Sequence, residues 1–195
     1  MEHQETDERL LENAANGETA AFQILYERYR DPIFRFAYRM LGSAEAAEDV
    51  THDCFLSLIK EPGRFDSEKA SLRTYLYAAA RNQATRRYQN FNRESPIDDF
   101  PDQFRGPENH EPSQRMLDDE LAAEVRRAIA SLPPLQREAL VLFEYEDLSL
   151  AEIAAVVGAD SNAVKARLFR ARDKLRASLG RYFRIGRETA TVRRA

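Results

Sequence analysis

The chain has 195 residues, which is enough for one domain or two small ones. Its 43% hydrophobic content supports packed cores, and no apolar run is long enough to span a bilayer, so we expect no membrane insertion. The start, MEHQETDERL, lacks the apolar stretch of a signal peptide, and the single cysteine, Cys54, excludes an intrachain disulfide framework. These features predict a soluble, cytoplasmic protein.

Charge is segregated along the chain, although the formal net charge is only −4. Residues 161–195 contain eleven Lys and Arg residues against two acids, and residues 81–93 contain four Arg residues and no acid. Between these segments, residues 94–120 contain nine acids against two Arg residues. The chain is therefore not a uniformly basic nucleic-acid binder; it has basic patches separated by an acidic stretch.

The first 91 residues have the apolar spacing of helices. Four helices are predicted, over 7–15, 18–41, 44–61 and 71–88. Pro32 should kink or split the second helix. Glu45, Glu48, Asp49 and Asp53 form an acidic outer side on the third helix.

Residues 92–114 are rich in proline and acids and have no helical period, so they predict a flexible acidic linker. Helical spacing resumes over 115–179 and predicts a second domain of four helices. The basic tail, 180–195, is consistent with a frayed terminus or with a DNA contact. No alternating strand pattern occurs, so the predicted fold class is all-α, with a first domain at 1–91 and a second at 115–179.

The stretch from Leu148 to Leu179 has the features of a helix-turn-helix. Ser149 followed by Glu152 matches a capping box, Gly158 can end the first helix, and Asp160 can cap the second. In the second helix the inward stripe is Val164, Leu168, Ala171 and Leu175. The remaining faces are rich in Lys and Arg, which is typical of a recognition helix for the B-DNA major groove.

Sequence features of an enzyme are weak. The three histidines are scattered, no metal-ligand spacing is present, and there is no phosphate-binding glycine loop or nucleophile motif. We therefore expect no catalytic residues, no metal and no cofactor, and we interpret Cys54 as a core residue.

The fourth predicted helix combines aromatic and basic residues. Tyr75, Tyr77 and Tyr88 offer rings on which unpaired bases stack, with Arg73, Arg81, Arg86 and Arg87 nearby to neutralise phosphates; Tyr75 also lies on the apolar stripe of the helix and is expected in the core. The polar loop 64–71 together with Asn82 suggests a pocket for a base turned out of the stack.

Two blocks, taken with the linker between them, resemble the sigma-70 family of RNA polymerase sigma factors, in its extracytoplasmic-function (ECF) class. The first block contains AAFQILYERYRDPIFRFAYRMLG, AEDVTHDCFLSLIK and SLRTYLYAAARNQA. The second is LPPLQREALVLFEYEDLSLAEIAAVVGADSNAVKARLFRARDKLR. The resemblance implies a subunit that directs core RNA polymerase to promoters and melts promoter DNA.

The resemblance also implies roles for individual residues and partners. Core polymerase would be contacted through the coiled-coil of its largest subunit and through its flap, and an anti-sigma factor is expected. Binding of core polymerase is implied for Glu48, Asp49 and Asp53. Contact with the minus-ten element is implied for Arg64, Phe65, Asp66, Ser67, Lys69, Arg81, Asn82 and Arg86. Contact with the minus-thirty-five element is implied for Ser161, Asn162, Lys165, Arg167 and Arg170.

Two other classes stay open on sequence alone. One is a stand-alone helix-turn-helix regulator whose first domain senses a signal or dimerises. The other is an interaction protein that binds polymerase or an anti-sigma factor without reading DNA.

Overall fold

The computed structural model describes the backbone of residues 5–94 and 112–192, and the side chains of 5–89 and 121–180. Across these residues the structure is helical, without strands, which confirms the predicted fold class. The helices are α1 Asp7–Ala15, α2 Thr19–Leu41, α3 Ala44–Lys60, α4 Leu72–Glu94, α5 Pro112–Ala130, α6 Pro134–Glu144, α7 Leu150–Val157 and α8 Ser161–Val192.

The first domain consists of α1 to α4, with one apolar stripe per helix buried against its neighbours. Gly42 ends α2 in the left-handed conformation with φ 73°, which glycine adopts without a steric penalty. The next residue, Ser43, caps α3 by accepting a hydrogen bond from the Ala46 N–H at 3.2 Å. This tight junction turns the chain so that α3 packs against α2 and α4.

The second domain consists of α5 to α8. Pro134 occupies the first turn of α6, where its missing N–H costs nothing. Helix α8 packs on α5, α6 and α7 and buries Val164, Leu168 and Ala171. The predicted four-helix arrangement is therefore present.

Local details of the predictions differ from the structure. Helix α2 is not split at Pro32, and its apolar stripe continues on both sides of that residue, with Tyr29, Ile33 and Phe36 buried. The basic tail, predicted as a frayed terminus or a DNA contact, has a helical backbone as far as Val192, where α8 ends. Helices α4 and α5 extend into both ends of the predicted linker, and the rest of it, 95–111, lies outside the described residues.

The two domains are packed against each other. Helix α4 of the first domain contacts α7 of the second, and α2 contacts α6. The Tyr77 ring from α4 is 1% exposed and meets Phe36 of α2 edge-on, with the ring centres 5.6 Å apart. The apolar cores of the two domains are continuous across this contact.

Candidate nucleic-acid interface

The acidic face of α3 is present, and its carboxylates are partly engaged. Glu48 is exposed. Asp49 and Asp53 each accept a hydrogen bond at 3.0 Å from Arg87 of α4, one from each terminal nitrogen of its guanidinium group. The basic run around Arg87 had suggested a phosphate contact. In the structure, the Arg87 guanidinium group is instead paired with the acidic face of α3.

The loop before α4 is held by its own charged residues. After a short 3-10 turn, Pro62–Arg64, the Asp66 carboxylate accepts a hydrogen bond from the Glu68 N–H at 3.0 Å and pairs with Lys69 at 2.6 Å. The Lys69 hydrogen bond is the main cause that lowers the pKa of Asp66, and the same bond raises the pKa of Lys69. Arg64 pairs with Glu61, and Ser67 is exposed.

The predicted base pocket is only partly assembled by the fold. Phe65 packs edge-on against Tyr75 with ring centres 5.6 Å apart, so its ring belongs to the loop's own packing. Asn82 and Arg86 are exposed further along α4. Asn82 lies ten residues beyond Leu72, the first residue of α4, which is about 15 Å along the axis at 1.5 Å per residue. Asn82 therefore lies about three helical turns along α4 from the point where the loop joins the helix.

Tyr77 is not available for base stacking, contrary to the sequence interpretation. Its hydroxyl donates a hydrogen bond at 2.6 Å to Glu146 of the second domain, and Arg73 beside it donates to the Glu146 carbonyl. Burial is the main cause that raises the pKa of the Tyr77 hydroxyl, and the Glu146 carboxylate adds to it. Tyr75, which was expected in the core, is half-buried and packs against the edge of the core.

The helix-turn-helix forms as predicted. Ser149 and Glu152 make the reciprocal capping box at the start of α7, and Gly158 ends that helix with φ 63°. The Asp160 carboxylate accepts hydrogen bonds from the N–H groups of Asn162 at 2.8 Å and Ala163 at 2.9 Å. These two bonds lower the pKa of Asp160, because they stabilise its ionised form.

The outward face of α8 is suited to the major groove. Asn162, Lys165 and Arg170 are exposed, and Ser161 is half-buried at the first position. Phe169, which sequence reasoning missed, is 69% exposed and lies four residues after Lys165 on the same face. The sequence did contain a signal for this residue, since Phe169 lies outside the inward stripe of a cationic helix. A phenyl ring at such a position can contact the methyl group of thymine.

Two of the predicted DNA-contacting arginines meet on one carboxylate. Glu138 of α6 is 2% exposed and accepts hydrogen bonds from Arg81 Nε at 2.9 Å and from Arg167 Nη1 at 3.2 Å. Arg81 belongs to the first domain and Arg167 to the second. Nothing in the sequence spacing pointed to this contact.

An apolar groove also lies between α5, α6 and α8 of the second domain. Its volume is about 420 Å³. It is lined mainly by Val125, Ile129, Leu140, Leu175 and Leu179.

The Cys54 thiol is buried in the core of the first domain, as predicted. Burial raises the pKa of the Cys54 thiol to about 12, so the thiol stays protonated and unreactive at neutral pH. Within the described part of the chain, no three His, Cys, Asp or Glu side chains converge as metal ligands. No helix in that part is both long and apolar enough to cross a membrane.

Comparison with known proteins agrees with this geometry. The family model "Sigma-70 region 2" matches residues 25–94, and "Sigma-70, region 4" matches residues 122–175. The RNA polymerase sigma-H factor of Pseudomonas aeruginosa is 32% identical over 184 residues, covering 90% of this chain and 95% of the relative. The ECF RNA polymerase sigma-E factor of Escherichia coli is 31% identical, with the same coverage of both chains.

Solved structures show the same fold. CnrH, in complex with the cytosolic domain of CnrY, superposes with a TM-score of 0.67 at 26% identity and covers 90% of this chain and 98% of its own. The Bartonella quintana sigma factor RpoE, in complex with the anti-sigma factor NepR, gives a TM-score of 0.68 at 20% identity, covering 82% and 96%.

The chain therefore belongs to the sigma-70 family of RNA polymerase sigma factors, in the extracytoplasmic-function class. It directs RNA polymerase to promoters as a DNA-binding transcription initiation factor and is not an enzyme. This assignment favours the sigma factor over a stand-alone regulator or an interaction protein that does not read DNA.

Proposed function

We propose that the chain, bound to core polymerase, reads the minus-thirty-five element with α8 and reads and melts the minus-ten element with its first domain. The observation that carries the proposal is the exposed face of α8, where Asn162, Lys165, Phe169 and Arg170 project from a helix positioned by two capped turns. Lys and Arg bind phosphates, while Asn162 and Phe169 offer contacts to base edges. Ser161 and Arg167 complete this set.

Melting would use binding energy alone. Exposed Asn82 and Arg86 on α4, with Arg81 and the loop residues Arg64, Phe65, Asp66, Ser67 and Lys69, form the proposed minus-ten surface. A base held outside the duplex stabilises the opened strand, since its unstacking cost is offset by hydrogen bonds and stacking in the protein. No nucleotide hydrolysis is required for this step.

Two surfaces are proposed for core polymerase. The acidic face of α3, with Glu48, Asp49 and Asp53, suits a basic coiled-coil, and a partner there must compete with Arg87 for the two aspartates. The apolar groove between α5, α6 and α8 suits an apolar helix such as the polymerase flap. An anti-sigma factor is a further proposed partner.

The domain boundaries and the location of the chain are part of the proposal. We place the first domain at 1–91, the linker at 92–114, the second domain at 115–179 and the tail at 180–195, which is compatible with the matched regions. A sigma factor acts where core polymerase and DNA are, and for this reason we infer a cytoplasmic protein.

Run-off transcription with purified core polymerase and a pool of genomic promoter fragments tests the proposal. We expect start sites that appear only when the chain is added, with two shared sequence elements upstream. Lys165→Ala should reduce these transcripts, whereas Lys60→Ala, an exposed lysine at the end of α3, should not. If folded chain and active core polymerase yield no new start sites, the proposal is wrong.

A further inference from the structure

We propose that Arg87 is an internal competitor for core polymerase: in the free chain it occupies Asp49 and Asp53 of the acidic face of α3, and it must leave both aspartates before polymerase binds there. Arg87 therefore lowers the affinity of this face for polymerase. The inference rests on the proposed function, because it takes the acidic face to be a polymerase contact. It assigns a role to an arginine that the proposed DNA and polymerase surfaces do not use.

The two aspartates form a site for one guanidinium group. Asp49 and Asp53 are four residues apart on α3, so their carboxylates lie side by side on one face. Arg87 of α4 spans them: its Nη1 donates to Asp49 Oδ2 and its Nη2 donates to Asp53 Oδ2, each at 3.0 Å. A basic partner that bound both aspartates in this way would need the position that the Arg87 guanidinium group already occupies.

The contact is weak enough to be released. The Arg87 side chain is 36% exposed, and those of Asp49 and Asp53 are 54% and 40% exposed. Ion pairs with this much solvent access stabilise a fold little, because water and salt screen them. The Arg87 Nε is buried and has no hydrogen-bond partner among the described residues, which adds a cost to the bound arrangement. Displacing Arg87 should therefore leave the first domain folded.

Arg87 also changes the charge that a partner meets. The acidic face carries three negative charges, on Glu48, Asp49 and Asp53. The Arg87 guanidinium group offsets one of them, and a basic partner is attracted less strongly to a face that already holds a cation. In addition, the partner binds only molecules in which Arg87 has left, and the apparent affinity falls with the fraction of such molecules. Both effects predict tighter binding when Arg87 is removed.

Equilibrium binding of the labelled, full-length chain to core polymerase tests the proposal. Arg87→Gln removes the cation and keeps a polar side chain of good helix propensity. We expect it to bind core polymerase about fivefold more tightly than the parent chain at low salt, since an exposed contact between charges is worth about that factor. Arg9→Gln, the matched control, removes the same charge from an exposed position on α1 and should bind as the parent does. Equal or weaker binding of Arg87→Gln would overturn the proposal.

Arg87→Lys separates the forked geometry from the charge. Lysine keeps the positive charge, but a single ammonium nitrogen cannot repeat the two-pronged contact of a guanidinium group. We expect the affinity of this variant for core polymerase to lie between the affinities of the parent and of Arg87→Gln. An affinity equal to that of the parent would show that charge alone lowers binding, and it would overturn the displacement of a forked contact.

A double-mutant cycle tests whether Arg87 acts through the aspartates. In a chain that carries Asp49→Asn and Asp53→Asn, Arg87 has no carboxylate on this face to bridge. Arg87→Gln should then lose most of its effect on polymerase binding. A gain that persists in full in this background would overturn the proposal, because the effect would then arise elsewhere.

Salt dependence gives a readout that a purely structural role of Arg87 would not move. Without Arg87, only salt ions screen the two aspartates in the free chain, so rising salt should weaken polymerase binding more steeply for Arg87→Gln than for the parent. The two affinities should therefore converge as the ionic strength rises. A gain of constant size across the salt titration would overturn the proposal.

Charge reversal at Glu48 separates this inference from the proposed function. If Arg87→Gln binds as the parent does while Glu48→Arg weakens polymerase binding, only the competitor proposal fails. If Glu48→Arg and the combined Asp49→Asn and Asp53→Asn variant both bind core polymerase as the parent does, the proposed polymerase surface fails, and with it the role of Arg87.

Discussion

Single polar side chains determine where the recognition elements begin. Ser149 and Glu152 exchange hydrogen bonds at the start of α7. At the start of α8, the Asp160 carboxylate accepts hydrogen bonds from two backbone N–H groups. These side chains satisfy N–H groups that have no partner within their own helix. They therefore fix the residues at which the two helices of the DNA-binding motif begin.

Ser149→Ala should lower the free energy of unfolding by about 1 kcal/mol, the usual cost of losing an N-cap. Ser149→Thr keeps the hydroxyl acceptor and should stay close to the parent. Denaturant titration of the three proteins measures the effect. A full loss in the Thr variant as well would show that the hydroxyl is not the cause.

The same cap gives a pH dependence. The hydrogen bond from the Ser149 hydroxyl, followed by that from its N–H, lowers the pKa of Glu152 below its ordinary value of 4.5. Since the folded-state pKa is the lower one, this stabilisation is present at neutral pH and is lost as the pH falls below 4.5. We expect the difference between parent and Ser149→Ala to shrink in titrations at pH 3 to 4; a constant difference would contradict this account.

Phe169 is a residue whose exposure argues for binding instead of packing. Its side chain is 69% exposed, so Phe169→Ala should change the free energy of unfolding by less than about 0.5 kcal/mol. If the ring contacts a thymine methyl group, holoenzyme binding to its promoter should weaken by about 1 kcal/mol. Competition binding with a promoter in which uracil replaces thymine, and which therefore lacks the methyl groups, measures this contact. If the replacement weakens binding of the parent and of Phe169→Ala equally, the contact is excluded.

At the scale of the element, local signals predicted more than long-range ones. The capping box, the Gly158 turn and the Val164 stripe were predictable because each depends on residues within one or two turns. The contacts of Tyr77 and Glu138 were not, because apolar and charged spacing identifies a helix face without identifying its partner. Tyr77 was thus interpreted as a stacking residue, although its hydroxyl is buried against Glu146.

Replacing Gly158 or Gly180 by alanine, in two separate variants, tests the helix-turn-helix geometry. Gly158→Ala forces a side chain into the left-handed conformation at φ 63° and should destabilise by about 1 kcal/mol. Gly180 lies within α8 with open space around it, so Gly180→Ala should stabilise by about 0.5 to 1 kcal/mol. Thermal unfolding of both variants should show shifts of opposite sign, and shifts of the same sign would contradict the assigned turn.

At the scale of the whole molecule, we propose two DNA-reading surfaces together with surfaces for polymerase. Core polymerase would hold both DNA-reading surfaces at a high effective concentration over one promoter. Arg81 of the first domain and Arg167 of the second both donate hydrogen bonds to Glu138, so this carboxylate joins the two domains.

Charge reversal tests the surface proposed for polymerase. Glu48→Arg on the acidic face of α3 should weaken binding of core polymerase at least tenfold, since it places a cation against a basic partner. Glu12→Arg, which reverses an exposed acid on α1, should leave binding unchanged. Equilibrium binding with labelled chain measures both, and equal effects of the two variants would point to net charge instead of this face.

Permanganate footprinting of unpaired thymines in the holoenzyme–promoter complex shows whether the chain melts promoter DNA at the minus-ten element. Without nucleoside triphosphates, the parent holoenzyme should make thymines at the minus-ten element reactive. Asn82→Ala should reduce this reactivity while the minus-thirty-five element stays protected from nuclease. Transcribed promoters without reactive thymines would exclude melting at this element, and an Asn82→Ala complex as open as the parent would exclude a role of Asn82 in it.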